Sequence, residues 1–449
     1  MSQSRKIRLG AVLGGAGGPG EHGAWKEQEI PGNASINIEY YLRQAQLAER
    51  GKFDHLFVVD SLYITPDSPP HYLNRLEPFT LLGALAVQTR NIGLVATIST
   101  SYEEPFHVAR RLASIDLISG GRAGWNVVAT GDGGTAKLFG RGQHLEYEDR
   151  YGRALEHVQL VQKLWDSYED EAFPRDVETG TFVDVEKLHP VEHRGKYFTV
   201  EGPLNISRSP QGQPVIFQAG DSEYGRNLAG AIAEGVFTHQ PTIEAGIAFS
   251  RDIKARAEKA GRNPDHVLIT PGIKVIVGDS DEHAREIEQY FQDQDADFTR
   301  AVKLFGRPFG WHDFNQYDLD APFPDLGDLG DRDWKTRADQ IKTTAREGGL
   351  TLRETVERFT APQPSPFVGS AETVASTLQE WFEAGAVDGY NIHIRTLSQF
   401  ARFTEEVVPL LQERGLFRAE YEGSTLREHL GLPFIANRHL QREAVPTGT

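Results

Sequence analysis

A (β/α)8 TIM barrel with large insertions in the loops after its strands is the fold this sequence predicts, on three observations. Short apolar, β-branched runs recur at 7–13, 55–59, 92–98, 122–128, 215–218, 235–238, 267–277 and 389–394. Between them lie stretches with helical apolar spacing, at 38–50, 105–118, 151–165, 222–234, 243–260 and 371–384. The runs are apolar on both faces, as parallel strands covered by helices must be. Eight such strands close into a barrel, and a doubly wound open sheet is the alternative that the same pattern allows.

Length supports the barrel and locates its extras. A minimal barrel needs roughly 250 residues, so about 200 of the 449 remain for insertions and tails. They fall at 14–37, 61–78, 129–150, 167–214 and 295–366. One domain is expected over 1–449, with 295–366 as a lid insertion and 418–449 as a C-terminal tail. The 295–366 stretch is rich in Pro, Gly and Asp (321–330 reads APFPDLGDLG), which suits an irregular lid better than a second core. Loops after barrel strands build the active site, so most of this surplus is expected to shape a pocket.

Composition narrows the function classes. Hydrophobic residues at 39% and aromatics at 10% are enough for a sizeable core and set disorder aside. A net charge of −17 repels nucleic acid and anionic membrane. The chain has no cysteine, which removes disulfides, thiolate metal sites and cysteine nucleophiles together. The first eight residues carry no apolar signal core, and no run approaches the ~18 apolar residues of a membrane helix. A cytoplasmic protein without nucleic-acid or membrane partners is expected.

Four groups of residues bear on chemistry. Gly15, Gly17 and Gly20 match G-x-G-x-x-G after a strand, but Pro19 interrupts the motif and 21–37 lacks the helix that would aim N–H groups at a pyrophosphate. A glycine loop near the barrel mouth is the better reading. At 215–220 an apolar run ends in glycine, and Asp221 and Ser222 open a helix whose free N–H groups suit a phosphate. A plain N-cap is the alternative. Polar residues at strand C-termini come next: Asp60, Thr97, Ser99, Asn126, His239 and Gln240. An amide such as Asn126 can read the edge of a flat heterocycle, and ordinary capping is the competing role. Last, no H-x-H, H-E-x-x-H or G-x-S-x-G occurs, so metal and serine-triad readings do poorly. Of the 15 histidines, His22, His239, His312 and His393 fall in mouth-side segments.

Several stretches combine unusual residues in order: ERGKFDHLFVVDSL, STSYEEPFHVARRLASIDLISGGRAGWNVVAT, EDRYGRALEHVQLVQKLWDS, SPQGQPVIFQAGDSEYGR and ERGLFRAEYEGSTLREHLGLP. With HGAWKE at 22–27 they run along nearly the whole chain. In them the sequence resembles the bacterial luciferase-like flavin monooxygenases, in the branch containing the nitrilotriacetate, dibenzothiophene sulfone and long-chain alkane enzymes. The resemblance implies a TIM barrel acting on FMN as FMNH2, with O2 as co-substrate. It also implies a separate NAD(P)H-dependent flavin reductase as partner, and a homodimer. The family's flavin positions carry over onto Asp60, Thr97, Asn126, Tyr151 and Ser222, with Ser222 and Tyr151 on the phosphate and the others along the ring. Asp221 belongs to the same turn. The family often has histidine where this chain has Tyr147, whose phenol donates a hydrogen bond but brings no charge.

On the substrate side, His22 and His239 are expected to move protons, since histidine titrates near working pH. Asn391, His393 and Arg395 share a strand face by period-two alternation. Arg395 would suit a carboxylate or sulfonate, and pairing with an acidic loop residue is its other reading. A deazaflavin-dependent reductase and a catalytically silent flavin-binding protein are the rival functions.

Overall fold

The computed structural model describes residues 5–18, 20–331, 334–361 and 364–440. Nine strands form one parallel sheet: β1 Arg8–Val12, β2 His55–Val58, β3 Gly93–Ser99, β4 Ala123–Val128, β5 Val215–Ala219, β6 Gly235–Phe237, β7 Leu268–Ile269, β8 Gly272–Lys274 and β9 Gly389–His393. Their order is β8-β9-β1-β2-β3-β4-β5-β6-β7. The sheet curls strongly. Phe57 of β2 and Phe237 of β6, four strands apart in that order, bring their rings to 5.3 Å.

The two ends of the order meet. Only Thr270 and Pro271 separate β7 from β8 in the chain. The peptide N–H of Thr270 bonds Val236 on one side, while Asp388 and Asn391 donate to Ile269 and Pro271 on the other, at 2.8–2.9 Å. Pro271 has no N–H to give, which accounts for the break in an otherwise continuous run. Each apolar run expected from the sequence carries a strand; the run at 267–277 ends differently, its last part (Ile276–Gly278) leaving to pair with Val368–Ser370.

Alternation along each strand sorts the side chains. Leu9, Leu56, Leu94, Ile98, Trp125 and Ile216 point outward and are buried beneath helices such as Ile38–Arg50, Pro105–Ser119 and Tyr147–Trp165. Val12, Phe57, Val95, Val215, Phe217 and Phe237 point inward and form a second cluster. Leu426, Leu430 and Leu432 of the C-terminal segment close this cluster from the end opposite the loops. Leu426 fits because Gly93 lies beneath it: a Cβ there would stand 2.5 Å from the leucine Cδ1.

The 295–366 stretch differs from the irregular lid expected. It carries the helices Phe298–Phe305, Lys335–Gly348 and Leu352–Thr360 and a small core of its own around Phe305, Phe309, Phe314, Ile341 and Val356. Phe298 and Phe305 share one face of the first helix, while Phe309, Phe314 and Phe323 reach the same core from the segment that follows it. Contacts such as Lys303 to Asp67 at 2.9 Å, Trp311 Nε1 to Asp132 at 3.2 Å and Arg307 to Asp132 at 3.6 Å tie it to the loops at the strand ends. In the 418–449 tail, 441–449 lie outside the described residues. Among the described residues no helix is long and apolar enough to cross a membrane.

Candidate active site

A cavity of about 2180 Å³ opens at the C-terminal ends of the strands, walled by the loops and by the 295–366 insertion. Asp60, Thr97, Tyr147, Tyr151, Asp221, Ser222, His239, His393 and Arg395 all line it. Asn126 lies one layer deeper and His22 stands outside the wall.

At one end is the helix Glu223–Ile232. Ser222 caps it, its Oγ accepting from the Gly225 N–H at 3.1 Å, so the first peptide N–H groups point at the cavity with the positive end of the helix dipole. The Tyr151 hydroxyl lies 3.3 Å from that Oγ. Tyr147 packs edge-on against Tyr151 and Tyr224, with centroids 5.3 Å apart in each pair. Asp221 does not face an anion freely: Thr238 donates to it at 2.7 Å, and burial pushes its carboxyl above the usual range. Charge at this end comes from Arg150, which lines the cavity, donates to the Thr130 carbonyl at 2.7 Å and sits 5.2 Å from the Tyr147 ring. Sequence reading passed over Arg150 and Tyr224. One turn along the helix from Tyr147, Arg150 was within reach of the period-3.6 rule.

Across the floor, Asn126 Nδ2 donates to Thr97 Oγ1 at 2.9 Å. Its Oδ1 is buried with no partner. A buried, unsatisfied amide oxygen costs on the order of 1–3 kcal/mol, a cost that an N–H from a bound ligand would relieve. Asp60 accepts from Arg75 at 2.6 Å; burial raises its carboxyl pKa and the guanidinium opposes the rise.

Two imidazoles stand at the far side. His239 and His393 lie near-parallel with centroids 6.2 Å apart, and Gly272 lies between them. A Cβ at Gly272 would come within 2.8 Å of His393 Nε2 and 3.0 Å of His239 Cε1, so only glycine lets the rings converge. Burial lowers both pKa values, that of His393 to about 3.

Two expectations need correction. Arg395 is not a free anion clamp: Asp295 takes it at 2.6 Å, Glu27 stands at 3.9 Å, and its guanidinium stacks 4.3 Å from Phe291. It pairs with acidic residues because the helix Asp281–Asp295, which leads into the insertion, ends with Asp295 at this corner. His22, expected to face the substrate, lies 3.4 Å from Arg300 instead, since the neighbouring Gly23 N–H is bound by Asp295 at 2.7 Å. The glycine loop opens no helix at Gly20; the Ala16 N–H bonds Ser35 Oγ at 2.8 Å, a packing role.

The comparisons with known proteins now decide the family. The model of luciferase-like monooxygenases matches residues 18–388. The chain belongs to the bacterial luciferase-like monooxygenase family. N-acetyl-S-(2-succino)cysteine monooxygenase of Bacillus subtilis (strain 168) is 45% identical, covering 98% of this chain and 99% of that one. Nitrilotriacetate monooxygenase component A of Aminobacter aminovorans is 39% identical over 96% and 98%. Among solved structures, riboflavin lyase with modified FMN and riboflavin superposes with a TM-score of 0.84 at 31% identity, covering 95% of this chain and 96% of that one.

As a flavin-dependent luciferase-like monooxygenase, the chain needs a seat for a flavin, and the residues fit one. A capped helix N-terminus with a hydroxyl pair suits a phosphate, and the unpartnered Asn126 Oδ1 suits a ring N–H.

Proposed function

We propose that this chain is the oxygenase component of a two-component FMNH2-dependent monooxygenase. It takes reduced FMN from a separate NAD(P)H:flavin reductase and uses O2 to oxygenate a small organic substrate. The names of the relatives span the sulfone, aminopolycarboxylate and alkane classes, and a heterocycle is the fourth candidate. On this reading β7 and β8 are one strand interrupted at Pro271. The sheet is then a closed eight-stranded (β/α)8 barrel with insertions, acting as a cytoplasmic homodimer with 295–366 as its lid. The unsatisfied Asn126 Oδ1, one layer behind Thr97 of the cavity that Ser222 and Tyr151 also line, is the observation that carries it.

Ser222 and Tyr151 hold the phosphate, assisted by Arg150 and Tyr147. Asn126, Thr97 and Asp60 fix the ring. Bound reduced flavin supplies the electrons that activate O2. The insertion excludes water through the Asp132 contacts of Arg307 and Trp311. His239 accepts a proton at its cavity-facing nitrogen.

Two measurements test this. With FMN, NADH and a generic flavin reductase, the protein should consume O2 and add an oxygen mass to a member of a panel of sulfones, aminopolycarboxylates, alkanes and heterocycles. Reduction of deazaflavin in its place would establish the reductase alternative. Ser222→Ala should weaken FMN binding about tenfold to a hundredfold, as loss of a hydrogen bond to a charged group does. Flavin fluorescence titration reads it, and an unchanged Kd would move the phosphate elsewhere.

A further inference from the structure

The substrate end of the cavity holds one cation that the protein leaves loosely paired. Apart from two arginines exposed on the helix Pro105–Ser119, the cavity's cations are Arg150, Lys274, Arg307, Lys335, Arg337 and Arg395. Four of them are hydrogen-bonded, and Arg307, on the 295–366 insertion, lies 3.6 Å from Asp132 and over the Trp334 ring at 5.1 Å. Arg150 serves the Thr130 carbonyl and Arg395 is held by Asp295. Lys335 sits between Asp331 and Asp339, 3.2 Å from each, and Arg337 donates to Gln340 and to the Phe359 carbonyl. Lys274 differs. Its nearest acid is Glu21 at 3.7 Å, beyond hydrogen-bond length, and half of its side chain is exposed.

A second observation points to the same place. Lys274 of β8 stands opposite His393 of β9 in parallel register, so the two side chains emerge side by side on the cavity face. The His393 ring makes no hydrogen bond with any described residue, although it is walled in and lines the cavity. Burial keeps its ring neutral, leaving one N–H to give. An ammonium beside a free imidazole N–H matches the two oxygens of a carboxylate.

We propose that Lys274 and His393 together seat one carboxylate of the substrate, and that Lys274 is the residue that selects an anionic substrate over a neutral one. The proposal rests on the monooxygenase reading above and takes the role once expected of Arg395. The pair seats one carboxylate group of the substrate: an incoming carboxylate replaces the long Glu21 contact of Lys274, and Glu21 Oε2 keeps the Gly18 N–H at 3.0 Å.

The test uses the full chain with FMN, NADH and a flavin reductase. Its probes are N-acetyl-S-(2-succino)cysteine and the fully esterified, uncharged analogue. The wild type should prefer the acid. Lys274→Met should raise KM for the acid about 10- to 100-fold with a smaller change in kcat. It should erase the preference over the ester and leave the FMN Kd in place, while Lys274→Arg restores most of the acid preference. A wild type that uses the ester as well as the acid overturns the proposal. So does a Lys274→Met variant that keeps the preference, or an enzyme that oxygenates other panel members but neither probe. Failure to bind FMNH2 at all would instead remove the monooxygenase reading beneath it.

Discussion

Replacing His239 with asparagine is expected to cut kcat/KM about 10²- to 10⁴-fold, the range lost with a positioned general base. The ring follows β6, and its Nδ1 lies 3.1 Å from the Gly272 carbonyl oxygen. A carbonyl only accepts, so Nδ1 carries the proton and Nε2 presents its lone pair to the cavity. Burial lowers the His239 pKa below the ordinary 6.5, the Asp221 charge opposing, so the imidazole is neutral at pH 7. The sign of the pH dependence follows. Above pH 6.5 the base is in its working form and kcat/KM is flat on this account. Activity falls only on the acid side of 6.5, as the imidazole takes up a proton. The asparagine variant should lose that acid limb along with the rate. A variant within threefold of the wild type, or one keeping the same limb, would assign the proton transfer to another group. His393 does not compete for it, since with a pKa of about 3 it is a poor acceptor of protons in this range.

The sheet was legible because parallel strands buried on both faces leave continuous apolar runs, and those at 92–98 and 122–128 coincide closely with β3 and β4. The start of the helix Glu223–Ile232 was legible by its cap, Ser222. The 295–366 core was not legible: Phe305, Phe309 and Phe314 meet through a loop rather than along one helix face. The same holds for the site. Strand-end position pointed to Asp60, Thr97, Asn126, His239 and His393, because a barrel turns strand ends into a rim. It could not tell that Asp295, about 100 residues before Arg395, would neutralise it. Lys274 was hidden by a reading of 267–277 as one apolar run. Period-two alternation puts Thr270, Gly272 and Lys274 on one face, with the charge at the rim, and that signal was available. His22 sits in a loop with no period, so nothing local fixed where its ring would go.

The largest expected stability effect lies at the end of the sheet farthest from this chemistry. Arg427→Met should destabilise the fold by about 3–5 kcal/mol, the cost of breaking a buried ion pair by removing one partner. Arg427 is 2% exposed. Its guanidinium meets both Glu234 oxygens, at 2.6 and 3.0 Å, and Nε donates to the Gln213 carbonyl at 2.9 Å. Glu234 in turn accepts from the Ile216 N–H at 3.0 Å, which holds the edge of β5. Methionine keeps the apolar stem but strands a buried carboxylate. It also loosens the helix Leu426–Leu430, whose leucines close the inward-facing cluster. Guanidinium denaturation should show the midpoint falling while FMN affinity, measured well below the transition, holds within a few-fold. A double variant, Arg427→Met with Glu234→Leu, separates the two causes. If the orphaned charge dominates, the double variant regains much of the loss, because removing both ions from an apolar site is close to neutral. A double variant as unstable as the single one would place the loss in the leucine contacts and the Gln213 bond instead.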